Sequence, residues 1–183
     1  METKGRLLQN DCSFRDVSPL MLPFPYPSIR VKEQNQFYAN LLTMDYCGSV
    51  SELTAITQYI HGESCVSCEH CAQARTLIGI AMAEMMHLQK LAELIILLGG
   101  SISFAVPTRN GRPQMWTPEF VNMTSAMSGI ISSNIEAERA AISQYEQHMR
   151  MIEDECVNAV LARIVQDEEY HIMLLQMMQG QGC

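Results

Sequence analysis

The chain has 183 residues, 48% of them apolar, and a formal net charge of −8. That length supports one domain with its own core, and without a Lys/Arg run or interleaved basic and aromatic residues there is no footprint for nucleic acid. No apolar stretch is long enough for a signal peptide or a membrane span, and seven cysteines, an odd number, read as reduced thiols of a cytoplasmic protein rather than a disulfide framework.

Residues 1–31 contain "PLMLPFPYPSIR", where prolines fix φ and remove amide donors, so an extended arm is expected, lying on the body or on a partner subunit. Residues 32–183 are expected to form an all-α four-helix bundle. Helical periodicity and strong helix formers occupy residues 32–62, 71–98, 118–149 and 153–179. "LGG" at residues 98–100 is a helix stop. Between the second and third helices, "SISFAVPTRNGRPQMW" is broken by Pro107, Gly111 and Pro113. The two outer links are short turns, so each flanking pair is an antiparallel hairpin. The middle link of about 18 residues reaches roughly 60 Å when extended, against about 42 Å for a long helix. It is therefore a crossover of bundle length. Fourteen methionines fill gaps in such a core.

The sequence "SELTAITQY" at residues 51–59 returns as "AERAAISQY" at residues 137–145. In each copy Glu, Ala and Tyr fall at i, i+3 and i+7, one helix face: Glu52, Ala55 and Tyr59, then Glu138, Ala141 and Tyr145. The second helix carries Glu84 and His87 on the stripe of Leu77, Ala81, Leu91 and Leu94. The fourth carries Glu168 and His171 on the stripe of Leu161, Ile164 and Leu175. Glu52 and Glu84 are equidistant from Cys68 in the first turn, and Glu138 and Glu168 from Glu153 in the second. Partners equidistant from their turn share a level, so four carboxylates and two imidazoles meet at mid-bundle. Burying such a cluster bare costs several kcal/mol per unpaired charge. Two divalent cations restore neutrality, and mixed oxygen and nitrogen donors suit iron or manganese.

This pattern resembles the ferritin-like superfamily, and more closely its rubrerythrin and manganese catalase branches, over residues 32–179. The resemblance implies Glu52 and Glu138 as terminal carboxylates, Glu84 and Glu168 as bridging carboxylates, and His87 and His171 as one imidazole per metal. It implies two iron or two manganese ions and a small oxidant, hydrogen peroxide or dioxygen, as substrate. Manganese implies catalase-type disproportionation without a reductant; iron implies a rubrerythrin-like peroxidase served by an external electron-donor protein. Ala141 stands where rubrerythrins carry a further Glu, and a rubredoxin module is missing, which tilts the reading towards catalase or towards a stand-alone protein reduced by a separate partner. The alternatives are a ferroxidase handling iron without a storage cage, since no fifth helix is expected, and a structural or spore-associated protein with a vestigial centre. Homo-oligomerisation is expected from the proline-rich arm and the apolar crossover.

Other positions have competing readings. Glu136 keeps the Glu52-to-Glu84 spacing, whereas Glu138 keeps the octapeptide context and is preferred. Tyr59 and Tyr145 are either core aromatics or hydroxyl donors that position ligand carboxylates. Cys65, Cys68 and Cys71 have C-x-x-C-x-x-C spacing; they are either three reduced thiols on a surface or an additional zinc or iron site completed by His61, His70 or a neighbouring subunit. Cys12, Cys47, Cys156 and Cys183 carry no motif, and His148 lies in a polar stretch where a solvated histidine is expected.

Overall fold

A computed structural model describes residues 12–108 and 110–180. The first eleven residues of the expected arm, and Cys183, lie outside the described residues. The described residues form five α-helices: α1 Gln36–Cys47, α2 Glu52–Val66, α3 Cys71–Leu97, α4 Met127–Met151 and α5 Glu155–Gly180. Helices α2 and α3 form one hairpin and α4 and α5 the other; α2 faces α4, α3 faces α5, and α1 packs on α2, α3 and α4. Four long helices thus make the bundle, with the crossover between α3 and α4.

Two expected boundaries are corrected. The first helix is broken into α1 and α2, because the Gly48 amide caps α1 by donating to Met44 O, and the Ser51 side chain caps α2 by accepting from the Thr54 amide. The third helix begins at Met127, not near Pro118; Pro118–Phe120 is a single 3₁₀ turn capped by Thr117. The crossover also holds a two-residue hairpin, β1 Ala105–Val106 against β2 Gln114–Met115, antiparallel with Ala105 opposite Met115. Gly99, with φ +86, makes the left-handed turn after α3 that the "LGG" stop requires.

Two apolar clusters fill the bundle. One is built on Leu42, Leu94, Leu161 and Ile164, the other on Leu77, Ile80, Ile130 and Leu175, each such side chain contributing about 1.5–3 kcal/mol on burial. Along α3 and α5 the Glu and His pairs fall between the two clusters, so the polar layer is sealed from both ends.

The arm lies along the body. The Leu20 amide donates to Gly79 O at 2.9 Å, and a Cβ on Gly79 would stand 2.8 Å from Leu20 Cγ, so glycine there permits the close approach. Further along, the amides of Leu22 and Lys32 donate to Asp167 and Asp154, at 2.8 and 2.6 Å. Cys12 forms a disulfide with Cys71 at the start of α3. This corrects the expectation of reduced thiols: two cysteines 59 positions apart in sequence meet because the arm returns to the α2–α3 turn, a contact that spacing alone cannot reveal.

Candidate metal centre

The repeated octapeptides lie on facing, antiparallel stretches of α2 and α4. Seven residues of helix advance about 10.5 Å, so each copy sets its Tyr beside the other copy's Glu. Tyr59 donates to Glu138 Oε1, and Tyr145 to Glu52 Oε1. Both rings are buried. The glutamines of the repeat also have matched tasks. Gln58 donates to Asn134 and accepts from the Asn122 amide of the crossover, both at 2.9 Å; Gln144 donates to Asp45 at 2.8 Å and to Val50 O at 2.9 Å, in the link between α1 and α2. Each pins an irregular segment against the bundle.

None of Glu52, Glu84, His87, Glu138, Glu168 and His171 is more than 3% exposed. His87 Nδ1 lies 2.8 Å from Glu84 Oε2, 3.3 Å from Glu168 Oε1 and 3.6 Å from Glu52 Oε2. His171 Nδ1 lies 2.9 Å from Glu168 Oε2, 3.1 Å from Glu84 Oε1 and 3.5 Å from Glu138 Oε1. Glu84 and Glu168 therefore turn one oxygen to each imidazole. Two four-residue groups result, Glu52, Glu84, His87, Glu168 and Glu84, Glu138, Glu168, His171, whose donor atoms within each group all lie within 4.8 Å. Glu136 is exposed.

The donor set fits a pair of cations. Glu84 Oε1, Glu168 Oε2 and His171 Nδ1 crowd together at 2.9–3.1 Å yet lack hydrogen-bond geometry, a costly state for buried polar atoms that a shared cation relieves. Without metal, protons supply the balance. Burial, then repulsion from Glu84 and Glu168, pushes the Glu52 carboxyl far up and the Glu138 carboxyl up to about 8. Burial would also raise Glu84, but His171 and His87 outweigh it and hold it well below the usual range. Burial opposes charging of both imidazoles, yet the facing carboxylates hold His87 and His171 well above their ordinary value.

The outer nitrogens are also tied. His171 Nε2 donates to Leu20 O at 2.9 Å, and His87 Nε2 lies 3.3 Å from Asp167 Oδ2, so Nδ1 of each ring is left for the centre. Asp167, which sequence reasoning missed, is fully buried; it accepts from the Leu22 amide and the Tyr26 hydroxyl, both at 2.8 Å, and pairs with Arg163 at 2.6 Å. Burial would raise its carboxyl, but hydrogen bonds from His87, Arg163, Leu22 and Tyr26 hold it low. Its only sequence signal was adjacency to Glu168. His148 corrects another expectation: it is buried, with Nδ1 2.8 Å from the buried Asp45. The signal was present, since Glu138, Ala141, Tyr145 and His148 share one helical stripe.

Beside the carboxylates, between α2 and α4, lies a cavity of about 80 Å³ lined by Phe120, Ala55, Ala141 and the four glutamates. It admits molecules of water or peroxide size. The arm closes the opposite, imidazole side.

An additional metal at Cys65, Cys68 and Cys71 is not supported. Cys71 is consumed by the disulfide, and Cys65 and Cys68 are exposed free thiols, Cys65 Sγ lying 3.6 Å from His61 Nε2. Among the described residues, the bundle core holds the two groups able to bind an ion.

A family model for the ferritin-like domain matches residues 50–181. The chain belongs to the ferritin-like family. A relative, the probable manganese catalase of Clostridium acetobutylicum, is 27% identical over 165 residues, covering 81% of this chain and 72% of the relative. In fold this ferritin-like chain is similar to a manganese catalase from Anabaena, with TM-score 0.74 and 22% identity over 87% of this chain and 79% of that one. It is also similar to the Desulfovibrio desulfuricans bacterioferritin, with TM-score 0.63 and 23% identity over 78% of this chain and 77% of that one. Among the described residues, no helix is long and apolar enough to cross a membrane.

Proposed function

We propose that this ferritin-like chain binds two manganese or two iron ions at Glu52, Glu84, His87, Glu138, Glu168 and His171 and turns over hydrogen peroxide, with disproportionation on manganese as the leading reaction. The carrying observation is the pair of overlapping donor groups that share Glu84 and Glu168 beside a cavity of peroxide size. Likeness to manganese catalases in both sequence and fold supports the same reading.

When bound, the metals supply Lewis acidity and storage for two electrons. The chain's own groups do the rest. Glu84 and Glu168, each with one oxygen toward each imidazole, would be shared between the two ions. Tyr59 and Tyr145 fix the outer carboxylates through hydroxyl bonds to Glu138 Oε1 and Glu52 Oε1, and Glu52 keeps Oε2 turned to His87. His87 and His171 present Nδ1, their tautomers set by Asp167 and Leu20. Ala55 and Ala141 leave space above the carboxylates and bring no acid of their own, unlike the further Glu of rubrerythrins. Disproportionation of two peroxides to dioxygen and two waters needs no donor, whereas the peroxidase alternative requires an external electron-donor protein. A cytoplasmic setting belongs to this proposal, one in which a disulfide such as Cys12–Cys71 is transient. So does a homo-oligomer, supported by exposed Phe37, Ile96, Ile102 and Phe104.

A ferroxidase is the second reading, favoured by the bacterioferritin likeness. Loading the purified chain with manganese or iron and adding peroxide separates the two. Oxygen release without a reductant is expected, at two metals per chain. No loss of peroxide from fully loaded protein, with or without a donor, overturns the proposal, and uptake of many irons per chain favours the ferroxidase.

A further inference from the structure

The arm is fastened at one end by a covalent bond and reaches both imidazoles by non-covalent ones. Cys12 is bonded to Cys71, the first residue of α3. Eight residues on, Leu20 O accepts from His171 Nε2, and the Leu22 amide and Tyr26 hydroxyl hold Asp167 against His87. Cys68, exposed and free, stands in the α2–α3 turn three residues before Cys71, the C-x-x-C spacing at which thiols and disulfides exchange.

We propose that Cys12–Cys71 is an exchangeable strap, with Cys68 as the exchanging thiol, that fastens the arm over the imidazole side of the centre and slows the loss of its metals. In the exchange, Cys68 gives up its proton and its thiolate attacks Cys71 Sγ. The Cys12–Cys71 bond breaks as the Cys68–Cys71 bond forms, and Cys12 leaves as a thiolate that takes a proton. No electrons are gained or lost in this step. A dithiol then reduces Cys68–Cys71 to two thiols and is itself oxidised to a cyclic disulfide, which leaves the arm held by hydrogen bonds and packing contacts alone. Opening removes the chain-entropy constraint on residues 12–31, so the Leu20 and Leu22 contacts open more often and both imidazoles lose their fixed orientation. The metal half of the proposal rests on the dimetal reading above; the arm half does not.

The full chain tests both halves. Hydrogen exchange of peptides spanning residues 18–26 is followed in oxidised protein, after dithiothreitol, and in Cys12→Ser. Protection is expected to fall about tenfold or more when the strap opens, with Cys68→Ser opening more slowly in dithiothreitol and reaching the same end state. Metal loss to a chelator is compared between manganese-loaded wild type and Cys12→Ser, with no reductant present. About tenfold faster loss from the variant is expected, the usual scale for loosening an imidazole's outer partner. Equal protection with the strap open overturns the proposal, as does equal metal loss. Opening of Cys68→Ser at the wild-type rate overturns the role of Cys68. If the chain takes up no metal at all, the dimetal reading fails, and amide exchange alone decides the strap.

Discussion

Tyr59 and Tyr145 each add one hydroxyl to a carboxylate that already faces a crowded negative centre. Removing the Tyr145 hydroxyl keeps the ring, so Tyr145→Phe is expected to fold normally while Glu52 loses its fixed orientation. Metal affinity should then fall about 10–100-fold, read by chelator competition, and Tyr59→Phe should act alike through Glu138. Protons offer a second test at this scale. In the metal-free centre burial and mutual repulsion favour the protonated carboxyls of Glu52 and Glu138, and the facing carboxylates favour the protonated imidazoles of His87 and His171. Loading divalent ions near pH 7 is therefore expected to release protons, measurable by calorimetry in buffers of different ionisation enthalpy. All four groups bind protons more tightly folded than unfolded. Their contribution to metal-free stability is therefore complete at acid pH and is lost as pH rises past the ordinary carboxyl and imidazole values and through about 8 for Glu138. Metal-free protein should melt lower at pH 9 than at pH 6. Metal-loaded protein, whose donors are already deprotonated, should lack this fall, and a parallel fall in both forms would contradict the assignment.

At the scale of the element, the break between α1 and α2 places Glu52 on the first turn of its own helix rather than in the middle of a long one. Ser51 fixes that start, so Ser51→Ala is expected to cost about 1 kcal/mol, a drop of roughly 2–4 °C in melting temperature for a chain of this size. Because Glu52 is the adjacent residue, manganese affinity should fall with it; unchanged affinity alongside the lower melting temperature would show that the cap serves stability alone. The break was legible in "CGSVSE", where Gly48 and Ser51 are stop and start signals, but the apolar periodicity on either side masked it. The repeated octapeptide and the two Glu-x-x-His stripes carried the bundle and the meeting of six polar side chains, because helix faces are local properties of sequence. Asp167, Asp45 and the Cys12–Cys71 bond were not legible, since each depends on a partner brought from far along the chain: Leu22 and Tyr26 for Asp167, His148 for Asp45, the returning arm for Cys71. Register within a helix is written in spacing, whereas the path of an extended arm is not.

Over the whole molecule, two near-copies of a hairpin build a centre with pseudo-two-fold symmetry, and a single arm breaks it. His171 leans on a neutral carbonyl, Leu20 O, while His87 leans on the Asp167 carboxylate, itself held by Arg163, Tyr26 and the Leu22 amide. A charged partner makes an imidazole a stronger donor than a neutral one does, so on the proposed dimetal reading an ion beside His87 should be bound more tightly than one beside His171. Wild-type protein should therefore load and release its two metals in separable steps. Asp167→Asn keeps the shape but removes the charge that supports His87, which should weaken the tighter step about 10–100-fold and leave the weaker one close to its original value. The two steps should then approach or exchange order in a chelator titration followed by metal analysis. Equal weakening of both would mean that Asp167 acts only by anchoring the arm, since loss of the arm exposes both imidazoles alike. A selective loss beside His87 would mean that the carboxylate tunes one metal electrostatically, which is how one asymmetric segment can give two nearly identical sites different affinities.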